Sequence, residues 1–168
     1  MYDELTEIDL KKMREEIEHR TLVLRPQIIE DVKTARAFGD LSENFEYKAA
    51  KREKNRNDSR IRYLEHMIST AKIIEHKATA DDQVGLFDCV TIYIEEDDAE
   101  RDITLVTTLR QNALKDLISR ESPVGRAVLG RHVGDRVRVE VSETYGYWLV
   151  IRAIKKGEDD DSLKISGY

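Results

Sequence analysis

The chain has 168 residues, of which 37 % are charged and 40 % are hydrophobic, and its formal net charge is −6. This length allows one or two domains, and the negative charge argues against a protein that binds nucleic acid over its whole surface. Cys89 is the only cysteine, which excludes an internal disulfide. Because there is no stretch of roughly 20 apolar residues and no signal-peptide core, we expect no membrane association and a cytoplasmic location.

The first helical stretch is predicted over residues 8–38, where apolar residues recur every three or four positions. Pro26 lies within this stretch and removes a backbone donor, so we expect a kink or a new helical segment there. Gly39 can end the helix in a left-handed conformation. Asp40 is then predicted as the N-cap of a second helix, with Glu43 at the third position of a capping box.

The second helix is predicted over residues 41–75, with a coiled-coil repeat whose seam positions lie three and four residues apart. The predicted seam residues are Tyr47, Ala50, Lys54, Asn57, Ile61, Leu64, Ile68 and Ala71. Because the connection to the first helix is short, the two helices are expected to be antiparallel neighbours. Residues 1–76 are therefore predicted to form an N-terminal coiled-coil hairpin that carries Asp40 and Glu43 at its tip.

The hydrophobic period changes after the hairpin. Alternating or β-branched apolar runs predict strands of an antiparallel sheet near residues 90–94, 103–107, 137–141 and 148–154. A short helix is predicted over residues 123–129, with Gly130 just past its end, and residues 142–146 are predicted as a hairpin connection. Residues 77–157 are thus expected to form a second domain. An acidic C-terminal extension follows over residues 158–168, and we expect it to be mobile.

Asp40 and Glu43 have two interpretations. As helix-cap residues they would satisfy unpaired N–H groups and interact favourably with the helix dipole. Alternatively, residues three apart on a helix lie about 5–6 Å apart at Cβ, close enough for both carboxylates to bind one divalent cation or its waters. Two carboxylates alone hold Mg²⁺ weakly, because this ion keeps its waters and usually needs further ligands. Such a pair would be half of a site that a partner completes.

The residues around this pair resemble the signature of the bacterial Gre transcript cleavage factors, the GreA/GreB family. The resemblance is carried by the tip motif Gly39-Asp40-Leu41-Ser42-Glu43-Asn44 and by its continuation Phe45-Glu46-Tyr47-Lys48-Ala49-Ala50-Lys51. A second, distant motif runs from Ile118 to Gly130 and contains Ser122-Pro123. The resemblance extends over nearly the whole chain, to about Lys156.

This resemblance implies an α+β fold, with an N-terminal antiparallel coiled-coil hairpin and a C-terminal FKBP-like antiparallel sheet with a short helix. The family's C-terminal domain docks at the rim of the secondary channel of RNA polymerase, and its coiled coil reaches the active site. Carried over, Asp40 and Glu43 would help to hold a second Mg²⁺ jointly with the polymerase and position the water that hydrolyses backtracked RNA near its 3′ end. Ser42 either helps to orient this water or is only a polar residue of a first helical turn. The protein would be a monomer that activates the polymerase and has no active site or tightly bound metal of its own.

Basic residues follow one another at four-residue steps on the second helix, at Lys48, Arg52, Arg56 and Arg60. Like charges at this spacing destabilise an isolated helix by about 0.2–0.5 kcal/mol per pair. Nearby acidic residues could neutralise them, which would make this an ordinary solvated face. The resemblance implies instead a track for RNA phosphates. The residues of this track would be Arg36, Lys48, Lys51, Arg52 and Arg56.

The second motif contains the turn Ser122-Pro123, which leads into the predicted short helix. Ordinary turn chemistry is enough to explain these residues. The resemblance makes them part of the polymerase-docking surface, with Glu121 as a polar contact.

The sequence also departs from the family pattern at four places. Asp9 stands where the family commonly has Gly, and Phe45 stands where a small residue is usual. Arg110-Gln111-Asn112 occupies a loop near the docking surface where many members have Glu-Ala-Asp. The acidic extension after Gly157 lies outside the resemblance.

Two other functions are consistent with the same residues. The first is a secondary-channel protein that modulates or inhibits RNA polymerase without stimulating cleavage, which Phe45 and the altered 110–112 loop leave open. The second is a prolyl isomerase with a helical arm, which would need an apolar, aromatic-lined pocket. Trp148 is predicted to lie in a strand and to belong to the core, which argues against such a pocket.

Overall fold

The computed structural model describes residues 2–39 and 43–167. Asp40, Leu41 and Ser42 of the tip motif therefore lie outside the described residues. The chain divides into two units: residues 10–71 make up most of the first, and residues 3–9 together with 72–167 make up the second. Residues 3–9, at the N-terminal end of the chain, thus belong to the second unit. Among the described residues, no helix has the length and apolar character that a membrane span requires.

The first arm of the helical unit is built from three consecutive segments: α1 (Glu7–His19), a π-helical turn (Arg20–Leu24) and α2 (Arg25–Arg36). Pro26 lies in the first turn of α2, as the sequence predicted. The N–H of Arg25 donates to the carbonyl of Arg20, five residues back. Proline cannot donate a helical hydrogen bond, so this wider turn shifts the hydrogen-bond register immediately before it.

The second arm, α3 (Phe45–Thr70), begins later and ends earlier than the sequence predicted. Asn44 is its N-cap, because the Asn44 side chain accepts a hydrogen bond from the backbone N–H of Tyr47 at 3.0 Å. The predicted capping box is therefore wrong, since Glu43 precedes the helix. Gly39 has a φ of 117°, which confirms the positive φ predicted after the first arm.

The two arms form an antiparallel hairpin. Residues of α2 near the tip meet the start of α3, with Arg36 over the Tyr47 ring, whereas Arg25 pairs with Asp58 at 2.8 Å further along. Three of the predicted seam positions, Asn57, Ile61 and Leu64, are buried in the hairpin. The buried set also contains Arg60 and Met67, while Ile68 is only half-buried.

Ion pairs and amide hydrogen bonds join the two arms in the middle of the hairpin. Arg60, whose side chain is 4 % exposed, donates to both carboxylate oxygens of Glu16 at 2.8 and 3.2 Å. Arg20 donates to Glu16 at 2.7 Å and to the side chain of Asn57 at 3.0 Å. Arg60 therefore faces the opposite arm, and for this residue the alternative of neutralisation by an acidic side chain is confirmed.

Because of Glu16, we expect the free energy of unfolding to depend on pH in the acidic range. Burial alone would raise the pKa of Glu16, but hydrogen bonds from Arg60 and Arg20 outweigh it and lower the pKa below the ordinary value of 4.5. A carboxyl with a depressed folded-state pKa stabilises the fold above its unfolded pKa, and this contribution is lost as the pH falls through the folded value. We expect the free energy of unfolding in urea to decline below about pH 4.5. The decline should be shallower in Glu16→Gln, and parallel pH profiles for the two proteins would contradict this origin.

The second unit contains a five-stranded sheet in the order β5-β4-β3-β7-β6. Its strands are β3 (Cys89–Ile94), β4 (Ala99–Val106), β5 (Leu117–Ser119), β6 (Arg136–Glu140) and β7 (Gly146–Lys155). The four strands predicted from the sequence are all present. The sheet is mixed rather than wholly antiparallel, because β5 pairs with β4 in parallel. Two short 3-10 turns, Thr108–Arg110 and Ala113–Lys115, return the chain so that β5 can run alongside β4.

A pair of two-residue strands was not predicted. β1 (Glu4–Leu5) pairs in parallel with β2 (Lys72–Ile73), which brings the N-terminal residues beside the segment that follows α3. Strands of this length carry too little sequence periodicity to be recognised.

The predicted short helix is present as α4 (Pro123–Val128), and Gly130 follows it with a φ of 79°. This helix packs on the sheet. A Cβ at Gly125 would lie 2.2 Å from the carbonyl oxygen of Ser119, so this close approach requires glycine. The apolar core beneath the helix includes Val90, Leu105 and Ile151, each fully buried.

Trp148 lies on the other face of the sheet, and the prediction that it belongs to the core is wrong. Its side chain is 37 % exposed, with the guanidinium of Arg136 at 4.1 Å from the ring centroid and that of Arg138 at 5.9 Å. Leu149, the next residue, is fully buried. Successive residues of a strand point to opposite faces. Because Leu149 faces the core, the side chain of Trp148 lies on the exposed face of the sheet.

A buried ion cluster joins three distant parts of the sequence in this unit. Arg110 donates to Asp9 at 2.6 Å, and both side chains are fully buried. The same guanidinium donates to Thr6 at 3.1 Å, pairs with Asp159 at 2.6 Å, and lies 4.9 Å from the centroid of the Phe87 ring. Because Arg110 is enclosed within its own unit, it is unavailable as a contact on an exposed docking loop.

The acidic extension is packed against the second unit, so the prediction of a mobile segment is wrong. Asp159 is anchored by Arg110. Leu163 packs against the apolar cluster that contains Leu86 and Val106. Ser166 donates through its hydroxyl to the carbonyl of Leu109 at 2.6 Å.

Candidate functional site

Glu43 is an exposed residue of the turn between α2 and α3. The sequence predicts that Glu43 lies three residues from Asp40 on one helix. Since α3 begins only at Phe45, this helical spacing does not apply. Asp40 and Ser42 remain predictions, because both lie outside the described residues.

Asn44 joins the two helices that flank this turn, a role that was not predicted from the sequence. Its side-chain oxygen caps α3 by accepting from the N–H of Tyr47, and its side-chain nitrogen donates to the carbonyl of Ala35 at 2.6 Å. One amide thus joins the start of α3 to the last turn of α2. Asn is among the most favoured N-cap residues, so its position just before a helical run was a usable signal.

A concavity of about 500 Å³ lies beside Glu43. Its lining residues are Phe38, Glu43, Asn44, Phe45 and Glu46. The two phenylalanine side chains are largely exposed. Among the described residues there is no group of three or more His, Cys, Asp or Glu side chains that could hold a metal ion. Exposed carboxylate oxygens are nevertheless ligands that Mg²⁺ accepts, so Glu43 fits a site whose other ligands come from elsewhere.

Arg36 and Lys51 converge on Tyr47 beside the tip. The Arg36 guanidinium lies 5.4 Å from the centroid of the Tyr47 ring. A hydrogen bond from Arg36 lowers the pKa of the Tyr47 hydroxyl, and the charge of Lys51 adds to this effect. All three residues line a concavity of about 330 Å³ between the arms, together with Lys33 and Lys54. Arg36 on α2 and Lys51 on α3 therefore contribute to one positively charged surface.

The other predicted members of the phosphate track, Lys48, Arg52 and Arg56, are exposed on α3. Arg56 lies 3.4 Å from Glu53, one turn away, with both side chains more than half exposed. An exposed pair of this kind contributes little to stability and leaves the guanidinium accessible to a phosphate. We name the exposed basic residues on this part of the hairpin the basic face: Arg36, Lys48, Lys51, Arg52 and Arg56.

The predicted docking residues lie at the start of α4. Ser122 is the N-cap, and its hydroxyl accepts from the N–H of Gly125 at 3.0 Å. Pro123 occupies the first helical turn. Glu121 lies 3.6 Å from Arg120 and 3.8 Å from Arg126, which places a charged cluster next to this turn.

Two concavities of about 550 and 520 Å³ lie in the second unit. Both are lined mainly by charged, polar and aliphatic side chains, and neither has a Phe, Tyr or Trp in its lining. An aromatic-lined pocket of the kind expected of a prolyl isomerase is thus not formed by either of them.

Two family models match the chain. The model described as "Transcription elongation factor, N-terminal" matches residues 4–73, and the model described as "Transcription elongation factor, GreA/GreB, C-term" matches residues 78–156. The chain belongs to the GreA/GreB family of transcription elongation factors. The extension after residue 156 lies beyond both matches, so the family models do not cover the segment that Arg110 anchors.

Curated relatives support the same family. A protein named Transcription elongation factor GreA from Thermoanaerobacter pseudethanolicus is 44 % identical over 137 residues, which cover 82 % of this chain and 87 % of that protein. The GreA protein of Bacillus licheniformis is 38 % identical over 151 residues, covering 90 % of this chain and 94 % of the relative.

Solved structures of similar proteins are more distant. The Gfh1 protein of Thermus thermophilus, a GreA factor homolog, is 23 % identical with a TM-score of 0.42, over 93 % of this chain and all of the other. A GreA/GreB factor from Nitrosomonas europaea is 19 % identical with a TM-score of 0.40, over 92 % of this chain and 99 % of the other. Family membership therefore rests on the sequence matches alone.

Proposed function

We propose that this protein binds in the secondary channel of RNA polymerase and stimulates the polymerase's own hydrolysis of backtracked nascent RNA. Membership of an elongation factor family supports a role on the transcription complex. The observation that carries the proposal is the exposed carboxylate of Glu43 on the turn that joins the two arms. Helix α3 has 26 residues, so this carboxylate stands at the end of an arm about 39 Å long.

Asp40 and Glu43 are the residues that would help to hold a second Mg²⁺ jointly with the polymerase. When bound, this ion would lower the pKa of a coordinated water and offset charge on the departing oxygen. The tip would contribute negative charge and orientation. Next to Glu43, the two hydrogen bonds of Asn44 join the start of α3 to the last turn of α2. Ser42 is a further candidate for orienting the attacking water. The isolated protein is expected to have no nuclease activity, because two carboxylates leave most of the coordination sphere to the polymerase.

The start of α4 is the proposed docking surface at the channel rim. Ser122 and Pro123 fix the direction of this short helix, and Glu121 offers a carboxylate that is 43 % exposed. We propose that the protein acts as a monomer in the cytoplasm, on one polymerase at a time. The hairpin would then carry the tip, and the second unit would supply the contact with the polymerase.

The test is to add the protein to stalled elongation complexes whose RNA is labelled at the 5′ end. The proposal expects shortened RNA that can be extended again when nucleotides are supplied. Binding to the polymerase without shortened RNA would support a modulator or inhibitor of the channel instead. Isomerisation of a proline-containing peptide by the isolated protein would contradict both of these functions.

The basic face gives a prediction about salt dependence. Reversing Lys48 and Arg52 to Glu should weaken RNA crosslinking to the hairpin, because two phosphate contacts are lost. Each lost contact should reduce the slope of log affinity against log salt by about one. Arg62→Glu is the matched control, since Arg62 is exposed on the same helix further from the tip. Equal slopes of log affinity against log salt for the parent and the double variant would show that the basic face is an ordinary solvated surface.

A further inference from the structure

Two exposed aromatic rings lie on either side of the tip. Phe45 is 81 % exposed at the first position of α3, and Phe38 is 69 % exposed after the last turn of α2. Both rings line the same concavity as Glu43. Neither ring is needed for the packing of the hairpin, because the side chains buried there lie elsewhere on the two arms.

Phe45 is held in a defined position. Asn44 caps the helix immediately before it, so the backbone of Phe45 belongs to an ordered first turn. Lys48 lies one turn further along, with its ammonium 5.7 Å from the centroid of the Phe45 ring. One face of an aromatic ring is therefore accompanied by a positive charge, while most of the ring remains accessible.

This combination of groups fits a nucleotide better than it fits an apolar protein segment. An unpaired base can stack on an exposed aromatic ring, and an adjacent cation can bind the phosphate attached to that base. An apolar protein partner would instead have to desolvate Lys48, Glu43 and Glu46 around the rings, which is unfavourable without matched charges. Lys48, which lies over the Phe45 ring, is also a member of the basic face. The Phe45 ring therefore adjoins that face.

We propose that Phe45 is a stacking platform for an unpaired nucleobase near the 3′ end of the backtracked RNA, with Lys48 on its phosphate and Phe38 as the opposite wall. This inference rests on the proposed function and adds to it a positioning residue. A base held against Phe45 would have fewer orientations, and the phosphodiester bond beside it would be presented to Glu43 in a narrower range of geometries. Restricting the reacting groups in this way accelerates a reaction without new chemistry.

The experiment uses the full chain and stalled, backtracked complexes that carry 2-aminopurine as the 3′-terminal base. Stacking on an aromatic ring quenches the fluorescence of this base. The parent protein and Phe45→Tyr should both quench it, because both have an aromatic face. Phe45→Leu keeps an apolar side chain of similar size and should lose the quenching. Its cleavage rate should fall about tenfold, the scale expected when one base loses an aromatic partner.

Tyr63→Leu is the matched control, because Tyr63 is an exposed aromatic residue on α3 that lies 18 residues after Phe45, about 27 Å along the helix. It should quench and cleave like the parent. The parent, Phe45→Tyr, Phe45→Leu and Tyr63→Leu should all bind polymerase without RNA with the same affinity. A loss of this affinity in Phe45→Leu alone would mean that the Phe45 ring contacts protein, and this result would overturn the inference.

The stacking platform and the proposed function can fail separately. Cleavage and quenching by Phe45→Leu at parental levels would overturn the stacking platform and leave the proposed function intact. Quenching by a parent protein that never shortens the RNA would remove the proposed function and leave the stacking platform standing, because quenching does not require hydrolysis. Absence of quenching by the parent would overturn the inference directly.

Discussion

Asp40→Asn and Glu43→Gln should each reduce the stimulated RNA cleavage by about a hundredfold or more, while binding to polymerase stays at the parental level. Each change removes negative charge where the proposed shared cation would bind, and losing one preorganised electrostatic group commonly costs about 10²–10³ in rate. Glu43 lies before the helix that Asn44 caps, so its replacement should leave the helix content unchanged. Cleavage rates in stalled complexes and circular dichroism measure these two outcomes.

Glu46→Gln is the matched control for Glu43→Gln, because Glu46 is an exposed carboxylate beside the same concavity. It should cleave nearly as fast as the parent. Raising the Mg²⁺ concentration should partly restore whichever tip variant is less impaired, if the defect is weaker ion binding. Parental cleavage by both tip variants would show that Asp40 and Glu43 have only a structural role, and the proposed mechanism would be wrong.

Arg110→Met should lower the free energy of unfolding by about 3–5 kcal/mol, because it leaves the fully buried carboxylate of Asp9 without its counter-charge. Urea denaturation monitored by circular dichroism measures this loss. Arg101→Met is the matched control, since Arg101 pairs with Asp116 at the surface, where their side chains are 52 % and 42 % exposed. Breaking an exposed pair should cost at most about 1 kcal/mol.

The same substitution should release the C-terminal extension. Asp159 would lose its partner, so limited proteolysis should cut after residue 157 faster in Arg110→Met than in Arg101→Met. The double variant Asp9→Asn/Arg110→Met should lose less free energy of unfolding than the two single variants lose together, because neighbouring charges do not act independently. Equal stability of Arg110→Met and Arg101→Met would contradict the central place given to this cluster.

The buried cluster also accounts for departures that looked unrelated in the sequence. Asp9, Arg110 and the acidic extension each depart from the family pattern. In the structure Arg110 contacts both Asp9 and Asp159. An arginine enclosed at this position requires negative partners, and the two other departures supply them.

Local pattern was sufficient for much of the fold. Period and turn chemistry predicted the two helical arms, the new segment at Pro26 in the first arm, the strands β3, β4, β6 and β7, and the short helix before Gly130. The tip motif placed Glu43 between the arms. These features depend on contacts within a few residues, which periodicity and turn residues report directly.

The sequence by itself thus determined the two-part organisation, the family and the acidic tip of this protein. Only the tertiary structure decided that Arg60 faces the opposite arm, that the side chain of Trp148 lies on the exposed face of the sheet, and that Arg110 holds the C-terminal extension. Each of these depends on a partner far away in the chain or on which face of an element is covered. Charge pairing between distant segments and the choice of buried face arise from packing, and a one-dimensional pattern carries no record of them.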